Sequence, residues 1–139
     1  MTPRHVEPRR RDRGKDEAWI RAYLAAAPWG VLAIPGDDGV PRLNGNLFVY
    51  LPDPHRIYLH SARAGALPAA LHPPEESPAS FTAAEMGRLL PAPEALEFSV
   101  EYSGVVVTGK ARTVQDPEEA RVALQALLDK YAPHLIPGR

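Results

Sequence analysis

A short polar segment, His60-Ser61-Ala62-Arg63-Ala64-Gly65, carries the side chains best suited to chemistry in this sequence. It follows a predicted strand and precedes a predicted short helix. Backbone N–H groups at a helix start favour negative charge, and the Ser61 hydroxyl and Arg63 guanidinium add donors. Gly65 permits a turn or a close backbone approach. The segment predicts an anion site, although a plain strand-to-helix connection with a solvated arginine explains the same residues equally well.

A second polar group lies on the strand predicted over residues 42–50. Side chains alternate along a strand, so Asn44 and Asn46 share one face while Gly45 lies on the other. Amide groups both donate and accept hydrogen bonds, which suits the edge of a heteroaromatic ring. An ordinary half-exposed strand is the alternative interpretation.

The elements that must position these residues are mostly short strands joined by hairpins. Strands are expected over residues 30–34, 42–50, 56–60, 78–86, 96–102 and 105–114. Helices are expected from Asp16 to about Ala27 and from Asp116 to about Tyr131, each beginning at an Asp cap. Six or seven strands with helices at both ends predict a mainly β (α+β) fold, an antiparallel barrel with flanking helices.

The third quarter of the chain gives more detailed expectations. Residues 89–93 are expected to form a proline-flanked loop. The alternating residues Leu96, Phe98, Val100 and Tyr102 are expected to point into the core. The Ser103-Gly104 pair is expected to break or bulge the following strand.

Composition bounds the fold and the compartment. The chain has 139 residues, of which 45% are hydrophobic and 24% charged, so one domain with a core is expected. The absence of cysteine excludes disulfides and thiolate metal sites. No run approaches the length of a membrane span and no secretory signal is recognised, so a cytoplasmic protein without a membrane partner is expected.

Charge is unevenly distributed along the chain. Residues 1–16 carry six basic and three acidic side chains, whereas the remainder has a net charge of −4 within a total of −1. We expect residues 1–15 to be a disordered basic arm and residues 16–139 to form the folded domain. Nucleic acid is not the expected partner, because the body is acidic and lacks a basic, aromatic surface.

Two other chemistries are disfavoured by spacing. The adjacent His60 and Ser61 point apart on a strand, so a hydrolytic dyad is not expected. Neither His55 nor His72 has a spacing from His60 that matches a zinc pattern, so no metal site is predicted. His60 could act as an acid near neutral pH.

The ordered motifs resemble the FMN-binding split-barrel superfamily, the pyridoxamine 5'-phosphate oxidase-like group. The resemblance rests on Gly30-x-Leu-Ala-Ile, Asp38-Gly-x-Pro, Asn46-x-Phe-Val-Tyr and Ile57-Tyr-x-His-Ser-Ala-x-x-Gly. The segment Glu97-Phe-Ser-Val-x-Tyr-x-x-Val-x-Val-x-Gly is similar to the nitroimidazole-resistance (Nim) branch. The resemblance covers roughly Asp16 to Leu135.

The resemblance implies a homodimer of split β-barrels with two flavin clefts at the interface. It implies an oxidoreductase that uses FMN, with another flavin or a deazaflavin left open, to reduce a small oxidised substrate such as a nitro-heteroaromatic. It places the isoalloxazine edge along Asn44, Gly45 and Asn46, and His60 beside the ring or substrate as the candidate catalytic residue. The phosphate and ribityl chain would lie near the turn, at His60, Ser61, Ala62, Arg63 and Gly65.

One departure from the family pattern supports a second hypothesis. Ala66 stands where the family usually has Lys or Arg beside the phosphate, and Arg63 is the substitute that the turn offers. The alternative function is therefore a non-catalytic split-barrel dimer that binds a small anionic ligand or acts as a scaffold.

Overall fold

The structure, a computed structural model, describes residues 7–61 and 65–135. Its helices are α1 (Glu17–Ala26), α2 (Ala66–Ala70) and α3 (Pro117–Tyr131). Its strands are β1 (Gly30–Pro35), β2 (Pro41–Asn46), β3 (Phe48–Leu51), β4 (Arg56–Leu59), β5 (Ser77–Leu90) and β6 (Ser99–Ala111). Short 3₁₀ turns occupy Arg11–Arg13 and Ala95–Glu97.

Both long helices begin where their capping residues predict. The Asp16 carboxylate accepts a hydrogen bond from the Trp19 N–H at 2.9 Å, and Asp116 accepts from the Glu119 N–H at 3.0 Å. Each cap satisfies one of the N–H groups that a helix start leaves without a partner. The two predicted helices are confirmed within one residue at each end.

The strands form two antiparallel sheets that share one core. The larger sheet has the order β2-β1-β5-β6, and the smaller sheet is the hairpin β3-β4. Phe48 from the hairpin is fully buried against Phe81 of the larger sheet, with ring centroids 4.8 Å apart. This two-part arrangement confirms the predicted antiparallel split barrel with flanking helices.

The predicted single strand over residues 42–50 is wrong, because the chain changes sheets at Leu47. β2 pairs with β1, whereas β3 pairs with β4. The break is held by α3: the Phe48 N–H donates to the Tyr131 hydroxyl at 3.1 Å instead of to a neighbouring strand. A partner 83 positions away cannot be recognised from local alternation.

The Ser103-Gly104 pair does not interrupt β6, and Leu89 and Leu90 belong to β5 instead of a loop. The β5–β6 pairing runs from Ser77 opposite Ala111 to Leu90 opposite Ser99, and its one irregularity lies in β5 between Met86 and Leu89. β5 and β6 approach closely at Gly104, where an added Cβ would lie 2.9 Å from the Ala84 Cβ, so the position suits a residue without a side chain.

The outer part of this β5–β6 ribbon projects from the core. Leu96 is fully exposed, Phe98 is 54% exposed and Tyr102 is 60% exposed, so their predicted inward orientation is wrong. Alternation distinguishes two faces of a strand but does not show which face a neighbouring element covers.

The division between an arm and a folded domain stays a prediction. The described residues 7–15 are exposed. Contacts join them to the body: the Arg13 guanidinium donates to the Tyr102 hydroxyl at 3.1 Å and lies over its ring, and the Lys15 ammonium lies 5.7 Å from the centre of the Trp19 ring.

Candidate functional site

A hydrogen bond joins the two polar groups that the sequence singles out. The Asn46 side-chain amide donates to the His60 carbonyl at 2.9 Å. The end of β2 and the turn that follows β4 therefore lie side by side, although they are 14 positions apart. Asn44 and Asn46 are half-buried, while the His60 and Ser61 side chains are exposed at the surface.

The sheet register explains why the two asparagines are half-buried. Asn44 is paired with the buried Leu32, and Asn46 is paired with Gly30, so both point to the core side of the larger sheet. β2 is an edge strand, so its core-facing side chains are covered less fully than those of the inner strands β1 and β5. The amides consequently lie at a border between the apolar core and solvent.

Gly65 adopts a conformation that favours glycine, with φ of +127° immediately before α2. A Cβ at Gly65 would meet nothing within 4 Å, so backbone conformation and not lack of space requires the glycine. Ala62 and Arg63 lie outside the described residues. The predicted anion site at this turn stays a prediction, as do the assigned roles of the other site residues.

Trp29 is a residue of this region that the sequence analysis missed. Its indole lies against Gly45, where an added Cβ would be 2.9 Å from the ring atom Cζ2. Trp29 nevertheless remains 55% exposed. The sequence signal is limited to a tryptophan directly after the proline that ends a helix.

Lys130 and Tyr131 hold the backbone on both sides of this region. The Lys130 ammonium donates to the Ala27 carbonyl at 2.7 Å and to the Phe48 carbonyl at 3.0 Å. The Tyr131 hydroxyl lies 2.9 Å from the Pro28 carbonyl and 3.0 Å from the Phe48 carbonyl. Burial lowers the pKa of the Lys130 ammonium. The C-terminal end of α3 thus fixes the segments that carry Trp29 and Asn46.

Two of the other histidines, His55 and His72, are engaged elsewhere. The His72 Nε2 lies 3.0 Å from an Asp37 carboxylate oxygen, and this hydrogen bond raises the pKa of His72. His55 contacts the Tyr50 hydroxyl through Nδ1 and lies 3.4 Å from Glu17 through Nε2. Within residues 7–61 and 65–135, no three His, Asp or Glu side chains are grouped as a metal site would require.

A charged network connects the small sheet to α3. The Tyr58 hydroxyl donates to Glu119 at 3.0 Å, and Arg112 reaches both oxygens of the same carboxylate, at 2.8 and 2.9 Å. Hydrogen bonding to Arg112 lowers the pKa of Glu119, whereas burial is the main factor that raises the pKa of Tyr58. The network crosses from β4 to the segment that follows β6.

The pyridoxamine 5'-phosphate oxidase family model matches residues 16–137. The chain belongs to this family. The match covers the whole region over which the sequence motifs resemble the pyridoxamine 5'-phosphate oxidase-like group, and it confirms that resemblance. No curated protein matches the chain.

Solved structures share the split-barrel fold of this family member. The flavocytochrome Anf3 from Azotobacter vinelandii is 25% identical, with a TM-score of 0.67 over 89% of this chain and 57% of its own. The FAD and heme binding protein from Mycobacterium smegmatis is 16% identical, with a TM-score of 0.71 over 91% and 60%. A candidate 5-nitroimidazole antibiotic resistance protein from Bacteroides thetaiotaomicron is 22% identical, with a TM-score of 0.70 over 88% and 70%.

The chain therefore spans less than two thirds of the length of the first two of these structures. None of the described helices is long and apolar enough to cross a membrane.

Proposed function

We propose that this chain binds a flavin, FMN in the first instance, and uses it to reduce a small oxidised substrate such as a nitro-heteroaromatic compound. Membership of the pyridoxamine 5'-phosphate oxidase family supports the proposal. The similar structures support it too: the Azotobacter protein is a flavocytochrome, the Mycobacterium protein binds FAD and heme, and the Bacteroides protein is a candidate nitroimidazole resistance protein.

The observation that carries the proposal is the contact between Asn46 and the His60 carbonyl. It brings the amide-bearing end of β2 against the turn that leads into α2. A flavin needs hydrogen-bond partners along a flat ring edge and, at a distance, donors for a phosphate. The amides of Asn44 and Asn46, at the border of the apolar core, supply partners for a ring edge. The surface groups of His60 and Ser61 lie beside them and supply partners for the rest of the cofactor.

The donor set fits the ring and the ribityl chain better than it fits the phosphate. Asn44 and Asn46 would hold the ring edge, while His60 and Ser61 would contact the ribityl chain and the phosphate. Arg42 is already paired with Asp38 at 2.7 Å, and Ala66 supplies no charge, so Arg63 is the cation assigned to the phosphate. A bound flavin would supply hydride or electrons. His60 would hold a proton beside the substrate.

The outer face of the larger sheet supports a homodimer. Two cross-strand rows on this face contain only uncharged residues: Gly45, Val31, Thr82 and Val106 in one, and Leu43, Ala33, Ser80 and Thr108 in the other. Leu43 is 69% exposed and Val106 is 72% exposed. An antiparallel sheet normally turns polar side chains to water, so this face is suited to burial against a second copy. A two-fold dimer would bring the same rows together without like-charge repulsion.

The cofactor proposal is tested by absorbance and by FMN titration. The chain has two tryptophans, so Trp19→Phe leaves Trp29 as the reporter beside Gly45. We expect FMN to quench this fluorescence with saturable binding, and Asn46→Ala to weaken binding about tenfold through loss of about 1.4 kcal/mol. Ser61→Ala should also weaken binding, whereas the matched variant Ser77→Ala should not. A colourless protein that does not bind FMN would refute the proposal.

The dimer is tested separately by sedimentation velocity. Val106→Glu, on the outer sheet face, should convert the protein to a monomer, because two unpaired carboxylates would be buried at the interface. Val122→Glu, at a 41% exposed position on α3, is the matched control and should leave the assembly unchanged. A monomeric unmodified protein at micromolar concentration would contradict the dimer.

A second function, a non-catalytic split-barrel dimer that binds a small anion or acts as a scaffold, is favoured by Ala66. The family pattern has a cation at this position, and alanine removes it. A protein that is dimeric and folded but indifferent to FMN would support this function, and Ala66→Lys would then be expected to restore FMN binding.

A further inference from the structure

A second candidate site lies in the cleft between the two sheets. β4 and β6 are each the end strand of their sheet. Residues 56–61, which include β4, line one side of the cleft, and residues 105–114, which include most of β6, line the other. The cleft has a volume of about 1150 Å³. Small-molecule sites in proteins commonly enclose roughly 300–1,000 Å³, so a ligand of ordinary size fits between the two strand edges.

The walls of this cleft are apolar. Side chains from five elements meet across it: Leu32, Phe81 and Val107 from β1, β5 and β6 of the larger sheet, Ile57 and Leu59 from β4, and Leu124 from α3. Leu124 is 43% exposed, and Ile57, Leu59 and Val107 are half-buried. Apolar surface that water contacts within a concave site is stabilised when an apolar ligand displaces that water.

The charged residues that line the cleft are mainly cationic. Among the residues that the structure describes, they comprise Arg21, Arg56, Lys110 and Arg112, against one carboxylate, that of Glu17. Three of the cations have acidic partners: Arg21 lies 2.9 Å from Glu17, Arg112 lies 2.8 Å from Glu119, and Lys110 lies 3.9 Å from Glu76.

Arg56 differs from the other three cations. Its recorded partners among the described residues are the Tyr58 hydroxyl, at 3.2 Å from Nη1, and the Tyr58 ring, at 5.7 Å from the guanidinium carbon. No carboxylate of the described chain lies within 4.0 Å of it. The charge of Arg56 also helps to lower the pKa of Glu119, but no described carboxylate contacts the guanidinium directly, so it can still form a charge-assisted bidentate contact with an incoming anion.

We propose that the cleft binds an apolar molecule with one anionic group, a hydrophobic carboxylate, with the carboxylate on Arg56 and the apolar body between β4 and β6. This site is distinct from the proposed ring site, because neither Asn44 nor Asn46 lines the cleft. The two regions meet at His60 and Ser61, which lie at the edge of both. The proposal does not depend on flavin binding.

The test is calorimetric titration of the full chain with decanoate, and with 1-decanol as a neutral ligand of the same length. We expect saturable binding of decanoate and at least tenfold weaker binding of 1-decanol, because only the carboxylate pairs with Arg56. Arg56→Gln should weaken decanoate binding about tenfold. The matched control Arg121→Gln removes an exposed guanidinium of α3 that does not line the cleft, and should leave the affinity unchanged.

Three results would overturn the proposal: no saturable decanoate binding, equal affinity for decanoate and 1-decanol, or equal effects of Arg56→Gln and Arg121→Gln. Titration with FMN then tests whether the cleft is separate from the proposed flavin site. If saturating FMN displaces decanoate competitively, the cleft is the flavin site and the distinct site is refuted. If Asn46→Ala weakens FMN but not decanoate, two separate sites are supported.

Discussion

Replacing the half-buried Lys130 of α3 with methionine should destabilise the fold. The Lys130 ammonium donates to two backbone carbonyls, those of Ala27 and Phe48, and lies 4.0 Å from the centre of the Phe48 ring. Methionine keeps the length and the apolar stem of the side chain but cannot donate a hydrogen bond.

The expected loss of stability follows from counting which polar groups lose a hydrogen-bond partner. The Phe48 carbonyl keeps the Tyr131 hydroxyl as a partner, whose one proton it shares with the Pro28 carbonyl, whereas the Ala27 carbonyl loses the Lys130 bond outright. Leaving one polar group unsatisfied costs about 1–3 kcal/mol. Loss of the contact between the ammonium and the ring adds about 0.5–2 kcal/mol. Sulfur–aromatic contacts and relief of charge burial offset part of this, so a net loss of about 2 kcal/mol is expected.

Urea unfolding, followed by circular dichroism, measures this loss directly. For a chain of this size about 2 kcal/mol corresponds to a decrease in Tm of roughly 6 °C. Lys110→Met is the matched control, because Lys110 is 51% exposed and its carboxylate partner is 3.9 Å away. Surface changes of that kind usually alter stability by less than about 0.5 kcal/mol. If the two variants were equally stable, α3 would not be holding the junction between the sheets as argued.

Two further predictions concern pH and packing. The hydrogen bond to Asp37 raises the pKa of His72. The contact should therefore stabilise the fold below about pH 6.5, and this stabilisation should be lost as the pH rises through the raised pKa of His72. His72→Gln should remove this pH dependence of Tm. Gly30→Ala should destabilise the fold by about 1–3 kcal/mol, because its Cβ would overlap the buried Phe81 ring. Gly109→Ala, where a Cβ meets nothing within 4 Å, should leave the unfolding free energy nearly unchanged in the same urea titration.

The helices were predictable because their signals are local. Asp16 and Asp116 each accept a hydrogen bond from an N–H three residues further along, and a pattern of that length is visible in the sequence. The β1–β2 hairpin was predictable for the same reason, since Gly39 adopts the positive φ that its Asp-Gly turn requires. Elements fixed by contacts within a few positions are the ones that composition and spacing identify.

The candidate site was only partly predictable, since its members are brought together by distant parts of the chain. Asn46 and His60 were singled out by chemistry, but their contact depends on β2 ending at Asn46 and on the chain crossing to the other sheet. That crossing is held by Tyr131 on α3. The alternation of polar and apolar residues ends at Asn46, where a continuous apolar run from Leu47 to Leu51 begins, but such a run does not by itself show that the chain changes sheets.

The same limitation applies to exposed apolar residues, and here the failed expectation is informative. Phe98 lies just before β6 and Tyr102 lies within it, and both are more than half exposed, although the Arg13 guanidinium lies over the Tyr102 ring. Apolar residues with a regular period are expected where some surface will cover them. The projecting β5–β6 ribbon carries such a pattern but is left exposed by a single chain. We therefore expect a second copy to cover this ribbon as well as the uncharged outer face of the larger sheet.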